Sequence, residues 1–540
     1  MSTRAQLGSE VIAEQLAGLG ADVFFGLMGE DTAGVTVALI ERGLRYVSTR
    51  HEAAAVGMAD GYSWASGKLG IALVTRGPGL MNGLTAARNA ARAGERVLIV
   101  TGDSPTTRWY LPDPKNLDQR KLSETAGLVF AGTDDPAEVR RCADMAIASA
   151  LSGTPAVLAI AANVLNGPLP DVAGAPPVPS PPPLPELDPA TLDRVADLLL
   201  RSAQPLVLAG RGATTGRVPE LLIELARRSG ALLGTTLPAR DLFLGQPNDL
   251  GVVGGFARVR SEEPLRGVDF VLAVGASLGD FTTAGQTLFQ QAIVAQVERD
   301  PSRSGIYYPV DLGVIGDASS VCAALVDLLP AGGEGLVAPA VADDAPLYNG
   351  PDESAGGLVD PRLVAAVLDE LLPKDRVVLC DAGRYSTAPH RFMRSSGLNT
   401  FRLVAEAGAI GAGLGPAIGA ALARPERQTV LCAGDGGLLL SASDLETVAR
   451  EGIPLLIIVF NDHAFGAEKL VLAASGLPVS YAEFPETDIA AIARGMGIES
   501  ATVRSAQELR DLLPSIIERR TPALLDCKVL PDLVVPRMSG

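Results

Sequence analysis

Apolar residues fall in short unbroken runs along the chain, separated by longer mixed segments. ADVFFGL (21–27), LRYVSTR (44–50), GIALVTR (70–76) and RVLIVTGD (96–103) come first, with helical stretches between them that include 52–67 and 80–93. PLVLAG (205–210), ALLGTT (231–236), DFVLAVGA (269–276) and AIVAQVE (292–298) form a second set. RVVLCDAG (376–383), TVLCAGDG (429–436), PLLIIVFND (454–462) and PALLDCKVL (522–530) form a third. A run that is apolar throughout reads as a strand covered on both faces, the environment of a parallel sheet. Strands alternating with helices then predict an α/β chain of three doubly wound parallel-sheet domains. Two stretches, 167–189 and 331–357, read as linkers; the first is dense in proline, which suits extended chain and not helix interiors. They place the domains at 1–168, 187–331 and 356–540. Ligands of such sheets sit beyond the C-terminal ends of the strands, so those ends are where chemistry is to be sought.

Composition narrows the function classes. The 540 residues carry 45 Lys and Arg against 62 Asp and Glu, a net charge of −17. That sign excludes a general nucleic-acid binder and disfavours anionic membranes. Cys142, Cys322, Cys380, Cys432 and Cys527 are scattered, with no CxxC pair, so neither a zinc ribbon nor a disulfide framework is expected. A reduced, cytoplasmic setting fits, and the N-terminus lacks the apolar core of a signal peptide. The most lipid-like stretch, 407–423, is rich in Gly and Ala, contains Pro416 and is short for a span; it reads as a small-residue helix packed inside the protein.

One βαβ unit concentrates candidate chemistry. Residues 428–433 predict a strand that ends in Gly434-Asp435-Gly436-Gly437. A helix is expected from about Ser443, where Ser443 and Glu446 have capping-box spacing; Gly452-Ile453-Pro454 ends it, and the strand 455–460 runs into Asn461-Asp462. If the two strands are neighbours, Asp435 and Asp462 share one sheet edge and make a hard oxygen site suited to magnesium. The glycines let backbone N–H groups approach an anion. Together these parts describe a site for a magnesium-bound diphosphate; the plain alternative is that both dipeptides are turn residues. In the first block Glu52 stands at a strand–helix junction, with the helix expected from Ala53. Taken alone, that acid reads as compensation for the helix N-terminus.

These motifs carry a resemblance. GDGG followed by FNDHAFG, with 27 positions from Asp435 to Asp462, resembles the thiamin-diphosphate motif, which begins GDG and ends in an Asn pair. RHEAAAVGMADGYSWASGK (50–68) is similar to the segment that bears the cofactor-activating glutamate of that family. TRGPGLMNGL (75–84) resembles its GPG loop, and 406–437 resembles its pyrimidine-binding region. The likeness extends over nearly the whole chain and points to the acetolactate synthase and benzoylformate decarboxylase-like group. It implies a pyrimidine-binding first domain, a central domain and a diphosphate-binding third domain. It implies magnesium held by Asp435, Asp462 and the carbonyl of Ala464. Asp462 stands where many relatives have Asn, which adds charge and keeps an oxygen ligand. Cofactor contacts would come from Glu52, Gly408, Ile410, Gly434, Asp435, Gly436, Gly437, Asp462, Ala464 and Phe465. The Gly408 carbonyl would receive the 4′-amino group, and Ile410 would be the wedge that bends the cofactor; as a plain residue pattern, Ile410 also reads as core. Glu52, shielded from water, would favour the imino tautomer through N1′, which leads to the C2 ylide. The family builds its site between two chains, so a homodimer or homotetramer is implied.

The particular reaction is less legible. Glu30, in the turn after the first strand, reads as a proton relay or as a solvated loop acid. His463 lies between two proposed metal-contacting positions and faces substrate or serves the loop; His390 lines the entrance or serves the fold. The glutamine that acetolactate synthases carry ahead of an Asp has no clear counterpart; Pro114 and Lys115 occupy that region, with Gln119 after Asp118. The middle domain of relatives binds FAD, ADP or neither; Gly210-Arg211-Gly212 reads as a strand–helix turn in preference to a phosphate site. The sequence thus points to a thiamin-diphosphate- and magnesium-dependent lyase or carboligase acting on a small 2-oxo acid, by decarboxylation, acyloin-type bond formation or both. The rivals are a lyase of 2-hydroxy ketones or 2-hydroxyacyl-CoA that releases no CO₂, a catalytically silent regulatory subunit, and a nucleotide-binding oxidoreductase using the middle domain.

Overall fold

A computed structural model describes residues 5–106, 113–170, 184–331, 346–533, 535 and 537–538. Parts of both linker readings, 171–183 and 332–345, lie outside the described residues. The chain forms three six-stranded sheets, every strand pair parallel. The first contains β1 (Val23–Gly26), β2 (Arg45–Ser48), β3 (Gly70–Leu73), β4 (Val97–Asp103), β5 (Val129–Thr133) and β6 (Ala156–Ala161). The second contains β7 (Pro205–Ala209), β8 (Leu232–Thr235), β9 (Asp249–Val252), β10 (Phe270–Val274), β11 (Ile293–Glu298) and β12 (Leu312–Ile315). The third contains β13 (Val377–Asp381), β14 (Phe401–Val404), β15 (Thr429–Gly434), β16 (Leu455–Asn461), β17 (Glu499–Val503) and β18 (Ala523–Lys528).

The first and third sheets share one strand order, β2-β1-β3-β4-β6-β5 and β14-β13-β15-β16-β18-β17. The middle sheet runs β9-β8-β7-β10-β11-β12, the 3-2-1-4-5-6 order of dinucleotide-binding sheets, which by itself assigns no ligand. Central strands β7 and β16 are buried along their whole length and β4 over all but its last residue, as their apolar runs require.

The first and third units share a core. Helix Glu52–Ser66 packs against helix Leu414–Ala423. Met58 and Tyr62 on one side meet Leu414 and Ile418 on the other in a single buried cluster. Small residues permit this approach: a Cβ on Gly61 would lie 2.0 Å from the Pro416 carbonyl oxygen, and one on Gly419 would lie 2.0 Å from the Met58 carbonyl oxygen. The second part of the lipid-like stretch, Leu414–Ala423, is therefore an internal packing helix, whereas its first part, 407–413, is a loop; among the described residues no helix is long and apolar enough to cross a membrane. All five cysteines are buried and free.

One local expectation fails. The helix after β15 does not wait for Ser443: Asp435–Leu440 is already helical, a 3-10 turn Ala442–Asp444 follows, and Leu445–Arg450 completes it. Ser443 makes no cap; Asp444 instead accepts hydrogen bonds from the Arg50 N–H (3.0 Å) and the Thr447 hydroxyl (2.9 Å). A contact with the first unit has displaced the local capping box.

Candidate functional site

The C-terminal edge of the third sheet gathers the acids. β15 and β16 are neighbours in register, with Gly434 opposite Phe460, so Asp435 and Asp462 leave adjacent strand ends. Burial, and then the charge of Asp462, raise the Asp435 carboxyl to about 7. The Asp462 charge thus disfavours ionisation of Asp435, a conflict that a divalent cation would relieve. Among the described residues no three His, Cys, Asp or Glu side chains converge, so a metal here would complete its shell from backbone and bound ligand. The glycines are required by crowding: a Cβ on Gly436 would lie 2.5 Å from the Phe465 ring, and one on Gly437 would lie 2.4 Å from Asp381 Oδ2.

The turn after β16 is firmly held. Asn461 donates to Asp526 Oδ1 (2.9 Å) and accepts from the His463 N–H (3.3 Å). Lys528 pairs with the other Asp526 oxygen at 2.9 Å, beneath the turn. His463 adopts a left-handed backbone, φ 55°, and burial followed by the Lys528 charge lowers its pKa. Phe465 N–H and Ala482 C=O pair at 2.9 Å, which fixes the segment that presents the Ala464 carbonyl. Asp462 is not free: Arg384 Nη2 donates to its Oδ2 at 2.6 Å and to the Pro531 carbonyl at 2.5 Å.

The 408–410 loop stands on the same edge. Gly408 has φ 73°, open to glycine. Gly411 N–H donates to Asp381 Oδ2 at 2.8 Å, and a Cβ on Gly411 would lie 2.8 Å from the Leu440 Cβ. Ile410 is 37 % exposed, so it is not a core residue. Asp381 is fully buried; desolvation pushes its carboxyl up to about 7 against the hydrogen bonds of the loop, and its Oδ1 has no partner. Sequence reasoning missed Asp381, Arg384 and Tyr385. The available signal was that RVVLCDAG ends, like TVLCAGDG, in an acid and glycine at a strand end. Tyr385 donates toward the carbonyls of Asp381 (2.8 Å) and Cys432 (2.9 Å), bridging β13 and β15 below the acids.

Glu52 lies on the edge of the first sheet and is the first residue of its helix, as the 52–67 stretch predicts; His51 is the N-cap, its Nδ1 accepting from the Ala53 N–H. Glu52 is 7 % exposed and accepts from Asn82 Nδ2 at 3.0 Å. Gly79 leaves room for it: a Cβ there would meet Thr75 Cγ2 at 2.6 Å and Glu52 Oε1 at 3.3 Å. Among the described residues no hydrogen bond or ion pair joins Glu52 to Asp435 or Asp462 of the same chain. Farther along this edge a cavity of about 300 Å³ is lined by Glu30, Arg76, Ser104, Lys115 and Asn166. The Glu30 side chain is 92 % exposed and 3.9 Å from Lys115 Nζ, whereas Arg76 is tied to Asp113 at 2.9 Å. His390 is 2 % exposed, packed between Phe256 and Phe401, so it lines no entrance. Arg211 reaches the first unit, its guanidinium filling the space a Gly94 side chain would take.

Three family models match the chain and between them cover most of it. They are the N-terminal TPP binding domain (residues 7–124), the central domain (192–325) and the C-terminal TPP binding domain (381–527) of thiamine pyrophosphate enzymes. A probable acetolactate synthase large subunit of Methanocaldococcus jannaschii is 26 % identical over 98 % of this chain and 93 % of its own length. A sulfoacetaldehyde acetyltransferase of Castellaniella defragrans is 26 % identical over 94 % and 90 %. The solved thiamine diphosphate-dependent 4-hydroxybenzoylformate decarboxylase of Rhodococcus jostii RHA1 superposes with a TM-score of 0.80 at 21 % identity, covering 97 % of this chain and 99 % of that one.

Proposed function

The chain belongs to the thiamine pyrophosphate enzyme family, and on that premise we propose that it is a magnesium-dependent lyase or carboligase acting on a 2-oxo acid. The observation that carries this reading is the meeting of Asp435, Asp462 and the 408–410 loop on one sheet edge, around glycines that crowding keeps bare. Asp435, Asp462 and the Ala464 carbonyl hold the metal, and backbone N–H groups of Gly434, Gly436 and Gly437 face the diphosphate. The Gly408 carbonyl, Ile410 and Phe465 hold the organic part. When bound, thiamin diphosphate supplies a C2 carbanion that adds to a carbonyl carbon and accepts the electrons released with CO₂. Glu52 contributes a carboxyl that is shielded from water, is oriented by Asn82 and would hydrogen-bond N1′. Glu30 and His463 are the candidates for proton movement on the substrate side.

Glu52 is directed into its own unit and has no bond to the acids of its own chain, which supports a site completed by a second copy. The exposed apolar residues Leu470, Val471, Leu477, Tyr481 and Phe484 just beyond Phe465 support a covering chain there. A homodimer or homotetramer follows. The division at 1–168, 187–331 and 356–540 belongs to the same proposal. The placement of Arg211 against the first unit supports a structural use of the Gly210–Gly212 turn, so no FAD or ADP is assigned to it.

The test is thermal unfolding with and without thiamin diphosphate and magnesium, followed by CO₂ release from a panel of 2-oxo acids. Stabilisation by both ligands together is expected, and Asp435→Ala should abolish it. Release from one acid names the donor. Stabilisation without release from any acid would replace decarboxylation by cleavage of 2-hydroxy ketones or CoA thioesters. No stabilisation at any ligand concentration would sink the cofactor-dependent reading and leave the silent subunit.

A further inference from the structure

Asp462 and Arg384 form an ion pair inside the proposed metal site, with side chains only 13 % and 11 % exposed and Nη2–Oδ2 at 2.6 Å. The geometry is built for the pair. A Cβ on Gly466 would stand 2.7 Å from Arg384 Nε and 2.9 Å from Asp462 Oδ2, so only glycine leaves room for the guanidinium where it lies. The other printed acceptor of Arg384 is the neutral Pro531 carbonyl, and Asp462 is its one carboxylate partner among the described residues. Asp462 accordingly has one of its two oxygens already engaged by a cation.

A divalent ion arriving alone must compete with that guanidinium for the oxygens and the charge of one carboxylate, at a poorly solvated edge where the existing ion pair is strong. A diphosphate changes the balance. It offers Arg384 a second, more highly charged oxyanion partner suited to the guanidinium fork, and so frees Asp462 for the metal. Resting on the proposed function, we infer that Arg384 is an internal counter-ion that makes metal binding at Asp435 and Asp462 depend on the diphosphate. Metal and cofactor are then coupled ligands, each raising the affinity for the other, and Arg384 supplies part of the coupling.

The test is a titration of the full chain, dialysed free of metal and cofactor, with Mn²⁺ alone, free ion being followed by electron paramagnetic resonance. Wild type is expected to bind Mn²⁺ weakly at this site. Arg384→Met should tighten it by about tenfold, and Arg384→Lys, which keeps the charge and loses the fork, by less. The gain from Arg384→Met should vanish in an Asp462→Asn background, because the pair is then already broken. Unchanged or weaker Mn²⁺ binding in Arg384→Met would overturn the inference; so would the same gain in the Asp462→Asn background, which would mark a general charge effect. Circular dichroism checks folding of each variant; should Arg384→Met fail to fold, Arg384→Gln carries the same expectation and the same contrary outcomes. Failure of the parent reading is separate: it shows as wild type unaffected by thiamin diphosphate with magnesium, whatever Arg384 does.

Discussion

Arg402 and Asp60 meet in a two-pronged ion pair, Nη1–Oδ1 and Nη2–Oδ2 both 3.1 Å, that crosses from the third unit to the first and is almost wholly buried. Arg402 also holds Glu406 at 3.1 Å, two residues before Gly408, and stands 5.8 Å over the Trp64 ring. The pair therefore joins the helix that starts with Glu52 to the strand that leads into the 408–410 loop. Arg402→Leu leaves Asp60 buried without its cation and should destabilise the chain by roughly 3–5 kcal/mol. The double variant Asp60→Leu/Arg402→Leu should recover part of that loss, since the buried Asp60 charge is gone and only the partly exposed Glu406 still lacks its cation. Equilibrium denaturation of both variants checks this; a double variant less stable than either single one would contradict it.

The same interface depends on missing side chains. Gly419→Ala adds a Cβ 2.0 Å from the Met58 carbonyl oxygen, a backbone atom that cannot turn aside. Alanine improves helix propensity by about 1 kcal/mol, but relieving the clash requires the two helices to separate. A net loss of about 1–3 kcal/mol is expected, as for other overpacked sites. Gly495 is the control: it is the last residue of its helix, has nothing within 4 Å of its Cβ position, and should accept alanine without loss. Equal thermal shifts for the two substitutions would refute the packing argument.

What was legible follows from how the sheets are covered. Strands apolar on both faces, such as β4, β7 and β16, announce themselves as unbroken runs, and β15 followed by β16 placed Asp435 and Asp462 together. β5, β9, β12, β14 and β17 escaped notice because they are short edge strands; the half-exposed Glu499–Val503 reads as ESATV. Interior β6 escaped because AVLAIA runs directly into ANVL, and its alanines favour helix over strand by propensity, which disguises the strand. Glu52 and the GDG segment were legible as motifs. Arg384 and Asp381 were not, since their importance comes from register: β13 lies beside β15, and only that adjacency brings its last residues under the glycines. Placing the start of the helix at Ser443 failed because Arg50, nearly 400 positions away, takes the acid next to it.

Glu52 is held by one side-chain hydrogen bond, from Asn82 at 3.0 Å. Under the proposed function, Glu52→Gln keeps the shape and loses the exchangeable acid. Turnover should fall by roughly 10²–10⁴-fold, the usual worth of a positioned proton-transfer group, while thermal stabilisation by cofactor and magnesium persists. Asn82→Ala should reduce turnover less, because it removes only the orientation. Full turnover in Glu52→Gln would remove Glu52 from the chemistry, and loss of cofactor binding would make its role structural.

Asp381 gives the chain a pH dependence with a definite sign. Burial raises its carboxyl from 3.8 to about 7 in the folded chain. Between about pH 4 and 7 the folded form keeps a proton that the unfolded form releases, so rising pH removes stability across that window, after which the penalty stays constant. Asp381→Asn cannot ionise, and its side-chain oxygen can still accept from the Gly411 N–H. The melting temperature of the variant minus that of wild type should therefore increase from pH 5 to pH 8 and level off above, reaching a few degrees. Glu95, also raised to about 7 by burial, and Asp435 titrate in the same range but are common to both proteins and cancel in the difference. A difference that is flat with pH would mean that Asp381 is already ionised in the folded chain, and that the donors of the 411–413 segment outweigh its burial.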